Sequence, residues 1–437
     1  MGRAEGSGRR WLTPRVGALC ALAFLIAVGL RARAINHTVD AYVQVPGMSH
    51  HVRVDDLPRP NATQAVRNDA RRIPRPAGAW PRAPEGFRVS LYAQGLPDPR
   101  ELRTAPNGDI FVNNKAGEIL VLRGRDANGA ARERHTFAQG LDMPFGMLFY
   151  PAGPAPQWLY VGNTSSLVRY RYAAGDLQPR SAPDHLFDFP GGGKLHGGGH
   201  WTRDLAFSRD GKKLYAAVGS RSNVDDPDTT PAEHDRAVIW EMSPEGKGAR
   251  LYATGVRNAV GVAVSPKTGE LWASVNERDD LGDDLPPDYV THVVDGGFYG
   301  WPWYYLGAHQ DPRHRGKHPE LAAKTIVPDV LLASHVATMQ LLFYDGEMFP
   351  AAYRGDIFAP QRGSWNRSVR SGYGVARIPL DSNGRAKGTY EDFLTGFVTP
   401  DGDVWGRPVG ITVASDGVLL VSDEIGGCIW RIEVTKR

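Results

Sequence analysis

The stretch HGGGHWTRDLAF, residues 196–207, offers two imidazoles four positions apart, His196 and His200. On a helix such a pair would share one face and could clasp a metal ion. Three consecutive glycines, Gly197 to Gly199, separate them, and each glycine disfavours helix by about 1 kcal/mol relative to alanine. The zinc-protease pattern also needs a glutamate after the first histidine, where Gly197 stands. A phosphate-binding loop fails as well. Leu195 follows Lys194 in place of Ser or Thr, and Asp188 occupies the position of the first glycine. What remains is a glycine-rich loop running into a strand with a histidine at its end, whose role its neighbours must decide.

Four other segments carry residues able to do chemistry. GVRNAVG, 255–261, sets Arg257 and Asn258 between glycines that let the backbone turn tightly; a fixed cation there serves a developing oxyanion or ties elements together. NERDDLGDDLPPDY, 276–289, gathers Asp279, Asp280, Asp283 and Asp284. Their hard oxygens suit calcium rather than zinc, the alternative being a solvated acidic turn. GSWNRS, 363–368, presents Trp365, Asn366 and Arg367, and VWGRPVG, 404–410, presents Trp405 and Arg407. Either tryptophan could stack on a planar ring. His335 stands in SHVATM.

These segments need a scaffold that brings them together. The chain has 437 residues, 41% hydrophobic and 23% charged, enough for a large core in one or two domains. Its formal charge of +3 is interspersed, which excludes a nucleic-acid footprint. With only Cys20 and Cys428 there is no CxxCH haem site, and Cys428 reads as a buried small hydrophobe.

From Pro84 onward one unit recurs: a turn such as PNGD or SRDG, a short strand, a loop, a second strand. Its six copies start at APNGDIFVNN, QWLYVGN, FSRDGKKLYAAVGS, VSPKTGELWASVNE, YRGDIFAPQRGSW and VASDGVLLVSDE. No stretch holds a helical period. Units too small to bury their own faces imply radial repetition, so the expectation is an all-β, six-bladed β-propeller over 84–437. A β-sandwich would not explain the recurrence.

Ahead of the repeats, residues 35–83 are polar and proline-rich, an extended arm or linker. Residues 1–34 read as an export signal. Arg9 and Arg10 precede an apolar run at 16–30, and an Ala-x-Ala pattern ends at Ala34. Cleavage there and a periplasmic location are expected; an uncleaved inner-membrane anchor is the alternative.

In combination, HGGGHW followed by LAFSRDGKKLY, then GVRN and NERDDLGDDLPPDY, resemble the pyrroloquinoline quinone (PQQ)-dependent sugar dehydrogenases of the soluble glucose and sorbosone dehydrogenase type. The resemblance runs from about Pro84 to the C-terminus. It implies a six-bladed propeller, as the repeats do, and a quinoprotein oxidoreductase acting on a sugar or related hydroxy or aldehyde compound. By position it makes His200 the general base and sets Arg257 and Asn258 against the quinone. It also implies Ca2+ beside the cofactor, held by main-chain oxygens of Asp279 and Asp280 or by the loop carboxylates. Arg407, with Trp405, Trp365, Asn366, Arg367 and His335, falls near the cofactor by the same alignment. The family's second late arginine is replaced by Trp405, and its fifth-blade lysine is missing, which places the chain nearer the sorbosone-type branch. Electrons would pass to an external acceptor, a quinone or cytochrome. A calcium-dependent lactonase-type propeller hydrolase and a non-enzymatic binding propeller are the alternatives.

Overall fold

The structure, a computed structural model, describes residues 44–190 and 199–435. The chain divides into a unit ending at Gln44 and a unit from Val45 onward, and the second holds the strands described below. The export signal, its apolar run at 16–30 and His196 lie outside the described residues.

The protein is a six-bladed β-propeller with only short 3-10 turns as helix among the described residues. Blade 1 spans Pro99–Thr104 to Ala131–Ala138, blade 2 Met147–Tyr150 to Asp184–Asp188, and blade 3 Leu205–Phe207 to Arg250–Thr254. Blade 4 runs from Ala259–Val264 to Val330–Ser334, and blade 5 from Leu342–Phe343 to Tyr390–Leu394. Blade 6 takes three strands from Pro408–Val413 to Cys428–Val434 and its fourth, Phe87–Gln94, from before blade 1. That strand pairs antiparallel along the last one, from Phe87 opposite Val434 to Gln94 opposite Cys428, and so closes the ring.

The copies legible in the sequence turn out to begin at the second strand of each blade. Ile110–Asn114, Leu214–Val218, Leu271–Val275, Ile357–Gln361 and Leu419–Asp423 are buried throughout, and Trp158–Gly162 is buried past its first residue. Neighbouring blades cover both faces of such a strand, so its pattern is a continuous apolar run instead of an alternation. Trp272, fully buried, packs with Val290, Leu332, Ile357 and Ile378 and so welds blade 4 to blade 5.

The first strands surround the central axis, each touching the next around the ring. Blade 5 reaches blade 6 through Ile357–Gln361 instead. Glycine makes the tight approach possible. A Cβ on Gly410 would stand 2.0 Å from the Arg100 carbonyl oxygen, and one on Gly261 would stand 2.5 Å from that of Met339.

Residues 45–83 lie along blades 4 to 6. Ser49–His50 adds a fifth strand at the outer edge of blade 5. Further on, the Asn61 N–H donates to Leu281 O at 2.8 Å, Asn68 N–H to Trp365 O at 2.6 Å, and Ile73 N–H to Val404 O at 3.0 Å.

Candidate active site

Neighbouring strands in a blade are antiparallel, so the loops entering the first strands and those leaving the second strands meet at one end of the ring. A cavity of about 300 Å³ opens there. His200, Arg257, Asn258 and His335 reach it from loops that enter blades 3, 4 and 5. Asp279, Trp365 and Asn366 reach it from loops that leave second strands.

His200 is fixed by blade 3. Its Nδ1 lies 2.8 Å from Ser220 O and 3.1 Å from Ser220 Oγ. A carbonyl only accepts, so Nδ1 carries the hydrogen; the Ser220 hydroxyl already donates to Ser222 O at 2.7 Å and accepts from the ring. The lone pair therefore sits on Nε2, which has no hydrogen-bond partner among the described residues. Burial, and then the charges of Arg257, Arg236 and Arg203, hold the imidazole well below the usual histidine range. Burial and cations both disfavour the protonated form, so the ring stays neutral as pH falls through 6.5. If His200 is the catalytic base, the acid limb of kcat/KM is expected below pH 6.5, which a pH–rate profile of the free enzyme checks.

Gly219 lies between His200 and Asn258. A Cβ there would be 2.3 Å from Asn258 Oδ1 and 2.6 Å from His200 Cβ, so only glycine lets both side chains stand together. Asn258 Oδ1 is buried with no partner among the described residues, an acceptor held ready at the cavity wall.

Arg257 differs from the expectation of a donor aimed at a bound group. Its Nε donates to Asn223 O at 3.0 Å, Nη1 to the main-chain oxygens of Asn276 and Glu277, and Nη2 to Asn223 Oδ1 at 3.0 Å and Asp279 Oδ2 at 3.3 Å. These bonds use all five N–H donors of a guanidinium. Arg257 thus pins the 276–279 turn, and its charge stands at the cavity.

From Asp279 a bonded chain continues around the wall. Asn366 Nδ2 donates to Asp279 Oδ1 and lies 3.1 Å from His335 Nδ1, while His335 Nε2 donates to Gly282 O at 2.9 Å. Glu277 and Asp288 also line the cavity; burial raises both carboxyls above the usual range, to about 7.

Part of the lining is cationic. Arg100, Lys115 and Arg362 line the cavity, and behind them Glu424, 5% exposed, takes a bond from Arg100 and two from Arg362, both at 2.8 Å. Arg100 and Arg362 hold the Glu424 carboxylate far below its usual range although burial alone would raise it. Removing the acid from such a cluster leaves like charges in a poorly solvated place. Glu424→Gln is expected to lower stability by about 3–5 kcal/mol, measured by urea denaturation.

Several expected site residues stand elsewhere. Trp405 does not reach the cavity; 2% exposed, it packs between Phe397 and Trp430 because its strand entrance turns inward to the blade 6 core. Arg407, also buried, lies over the Tyr373 ring at 5.6 Å. Arg367 turns away to donate to Asp283 O at 3.1 Å and Asp284 Oδ1 at 2.5 Å.

The four loop carboxylates do not assemble a calcium donor set. Asp279 serves Arg257 and Asn366, Asp280 accepts from Asn223 at 3.2 Å, Asp283 accepts twice from Ser368, and Asp284 serves Arg367. No group of three or more metal-ligating side chains occurs among the described residues. The Asp279 main-chain oxygen is engaged as well, by Arg278 Nε at 2.8 Å.

Sequence reading missed Lys115, Arg362 and Glu424, yet they share one signal. Each stands immediately after the second strand of its blade, in NNK, PQR and SDE. Aligning the six copies on that strand end would have exposed three charges where blades 2 and 3 carry Asn163 and Gly219.

Comparison with known proteins finds the same fold. Residues 81–290 match the family described as TrAA12-like. A Borreliella burgdorferi protein described as uncharacterized is 27% identical over 368 residues, covering 81% of this chain and 91% of the relative. The pyrroloquinoline quinone-dependent pyranose dehydrogenase of Coprinopsis cinerea is 23% identical over 407 residues. That match covers 80% of this chain and 54% of the enzyme, so the chain spans about half of its length. The holo PQQ domain of the Coprinopsis cinerea pyranose dehydrogenase has a TM-score of 0.67 at 21% identity, covering 82% of this chain and 98% of that domain. The resemblance read in the sequence is borne out.

Proposed function

We propose that the chain is a PQQ-dependent oxidoreductase that oxidises a sugar hydroxyl at this cavity. The observation that carries the reading is a neutral imidazole with a free Nε2 in a cavity that Arg100, Lys115 and Arg362 also line. PQQ is a planar group with three carboxylates, and the residues present fit it. Arg100, Lys115 and Arg362 supply cations with one shared acid between them, and Asn258 Oδ1 is an unused polar atom. When bound, PQQ supplies the two-electron acceptor that no amino-acid side chain provides.

The chain's own residues do the rest. His200 Nε2 takes the hydroxyl proton, Nδ1 being locked to Ser220 so that the ring cannot present the wrong nitrogen. Arg257 lends positive potential and keeps the base unprotonated. The sugar is expected to be of the sorbosone type, and the electrons to leave for a quinone or cytochrome outside the chain. Export to the periplasm remains part of the proposal, tested by sequencing the N-terminus of the native protein. The loop carboxylates, already engaged by Arg257, Asn366, Asn223, Ser368 and Arg367, do not fit a calcium ion as a donor set.

Titrating PQQ into the purified protein and following the absorption spectrum tests the reading. A saturable spectral change, then bleaching by L-sorbosone or glucose, is the expected result. A protein that takes up no PQQ, or binds it without sugar-dependent reduction, overturns it; lactone hydrolysis indifferent to PQQ would favour the hydrolase alternative.

A further inference from the structure

We propose that Lys115, together with Arg100, anchors a carboxylate on the Trp201 side of the cavity. The inference rests on the cavity being the active site and assigns a residue that no motif identified.

Each arginine of the cavity wall has an acid. Arg100 and Arg362 share Glu424, and Arg257 meets Asp279 at 3.3 Å. Lys115 has no ion-pair or hydrogen-bond partner among the described residues. Its ammonium lies 5.5 Å from the centre of the Trp201 ring, and the Arg100 guanidinium lies 4.9 Å from the same ring. Trp201 follows His200 directly in the chain and lines the same cavity. The ring face attracts the Lys115 ammonium without neutralising it, which leaves its donors available to an incoming anion.

Holding Lys115 there is unfavourable for the folded protein. Its ammonium is partly desolvated and repelled by Arg100 and Arg362, against which Glu424 and Asp98 pull, so its proton is held less tightly than on an ordinary lysine. A residue that weakens the fold and faces a cavity is the pattern of a binding group. A carboxylate is the anion that fits: an ammonium at one edge and a guanidinium fork at the other can each take one oxygen. Two sources share this chemistry, a carboxylate of PQQ and a carboxylate on the substrate, as in a uronic acid.

Lys115→Met keeps the stem and removes the charge. Two binding measurements are made on the cofactor-free protein by tryptophan fluorescence, one with PQQ and one with D-glucuronate against D-glucose. If the anchor serves the cofactor, PQQ affinity falls roughly 10- to 100-fold and the glucuronate-to-glucose ratio stays the same. If it serves the substrate, the preference for glucuronate falls by a similar factor and PQQ affinity holds. Lys115→Arg should recover part of either loss. Thermal stability of Lys115→Met should equal or exceed that of the parent. The proposal is overturned if both affinities are unchanged, or if the variant only loses stability. Should the parent protein bind no PQQ, the quinoprotein reading fails, while the glucuronate measurement still decides Lys115.

Discussion

Replacing His200 by alanine is expected to lower kcat for sugar oxidation by about 100- to 10,000-fold while leaving PQQ affinity nearly intact. On the proposed mechanism proton removal is the task of the free Nε2, since the other nitrogen and the main chain are taken up by Ser220, Arg203 and Arg236. Steady-state kinetics and a cofactor titration on the same preparation separate the two effects. Added imidazole should restore part of the rate by occupying the space the side chain leaves. A variant that loses PQQ binding and catalysis together would assign His200 to holding the cofactor.

Arg257→Met is expected to act on three quantities at once. The guanidinium closes bonds to Asn223, Asn276, Glu277 and Asp279, so its loss should lower stability by about 3–5 kcal/mol. It also removes a positive neighbour of His200, so the imidazole gains proton affinity and the acid limb of kcat/KM moves to higher pH. PQQ affinity should fall as well. Arg257→Lys separates charge from geometry: the acid limb should stay near its original position while the stability loss persists. A Met variant with an unmoved acid limb would show that Arg257 does not control the base.

The blades were legible because their second strands are apolar on both faces and follow turns such as PNGD and SRDG. The first strands were not. Leu205–Phe207 and Leu342–Phe343 are too short to carry a pattern, and the axis they surround holds Glu101, Asp204 and Gln340, fully or nearly fully buried, where apolar residues would have been sought. At the site, His200, Arg257, Asn258, Asp279, His335, Trp365 and Asn366, each singled out in a motif, line one cavity. Trp405 illustrates the limit, since a tryptophan on a cavity wall and one in a core look alike in sequence. The acidic loop illustrates another. Its carboxylates are consumed by Asn366, Arg367 and Ser368, more than eighty positions away along the chain, and by Asn223 and Arg257 from blades 3 and 4.

The seam between Phe87–Gln94 and Cys428–Val434 has a consequence for biosynthesis. The first of these strands waits for its partner while 340 residues are added, 434 less 94. At about 5–20 residues per second, that is roughly 20 to 70 s in which a strand without its sheet partner is exposed to other chains. No blade 6 exists until the chain is nearly finished, so a nascent chain stalled in blade 5 is an open arc. Chaperone demand should therefore peak late in translation, and a circular permutant whose termini fall between blades 2 and 3, with all of blade 6 contiguous, should aggregate less during synthesis.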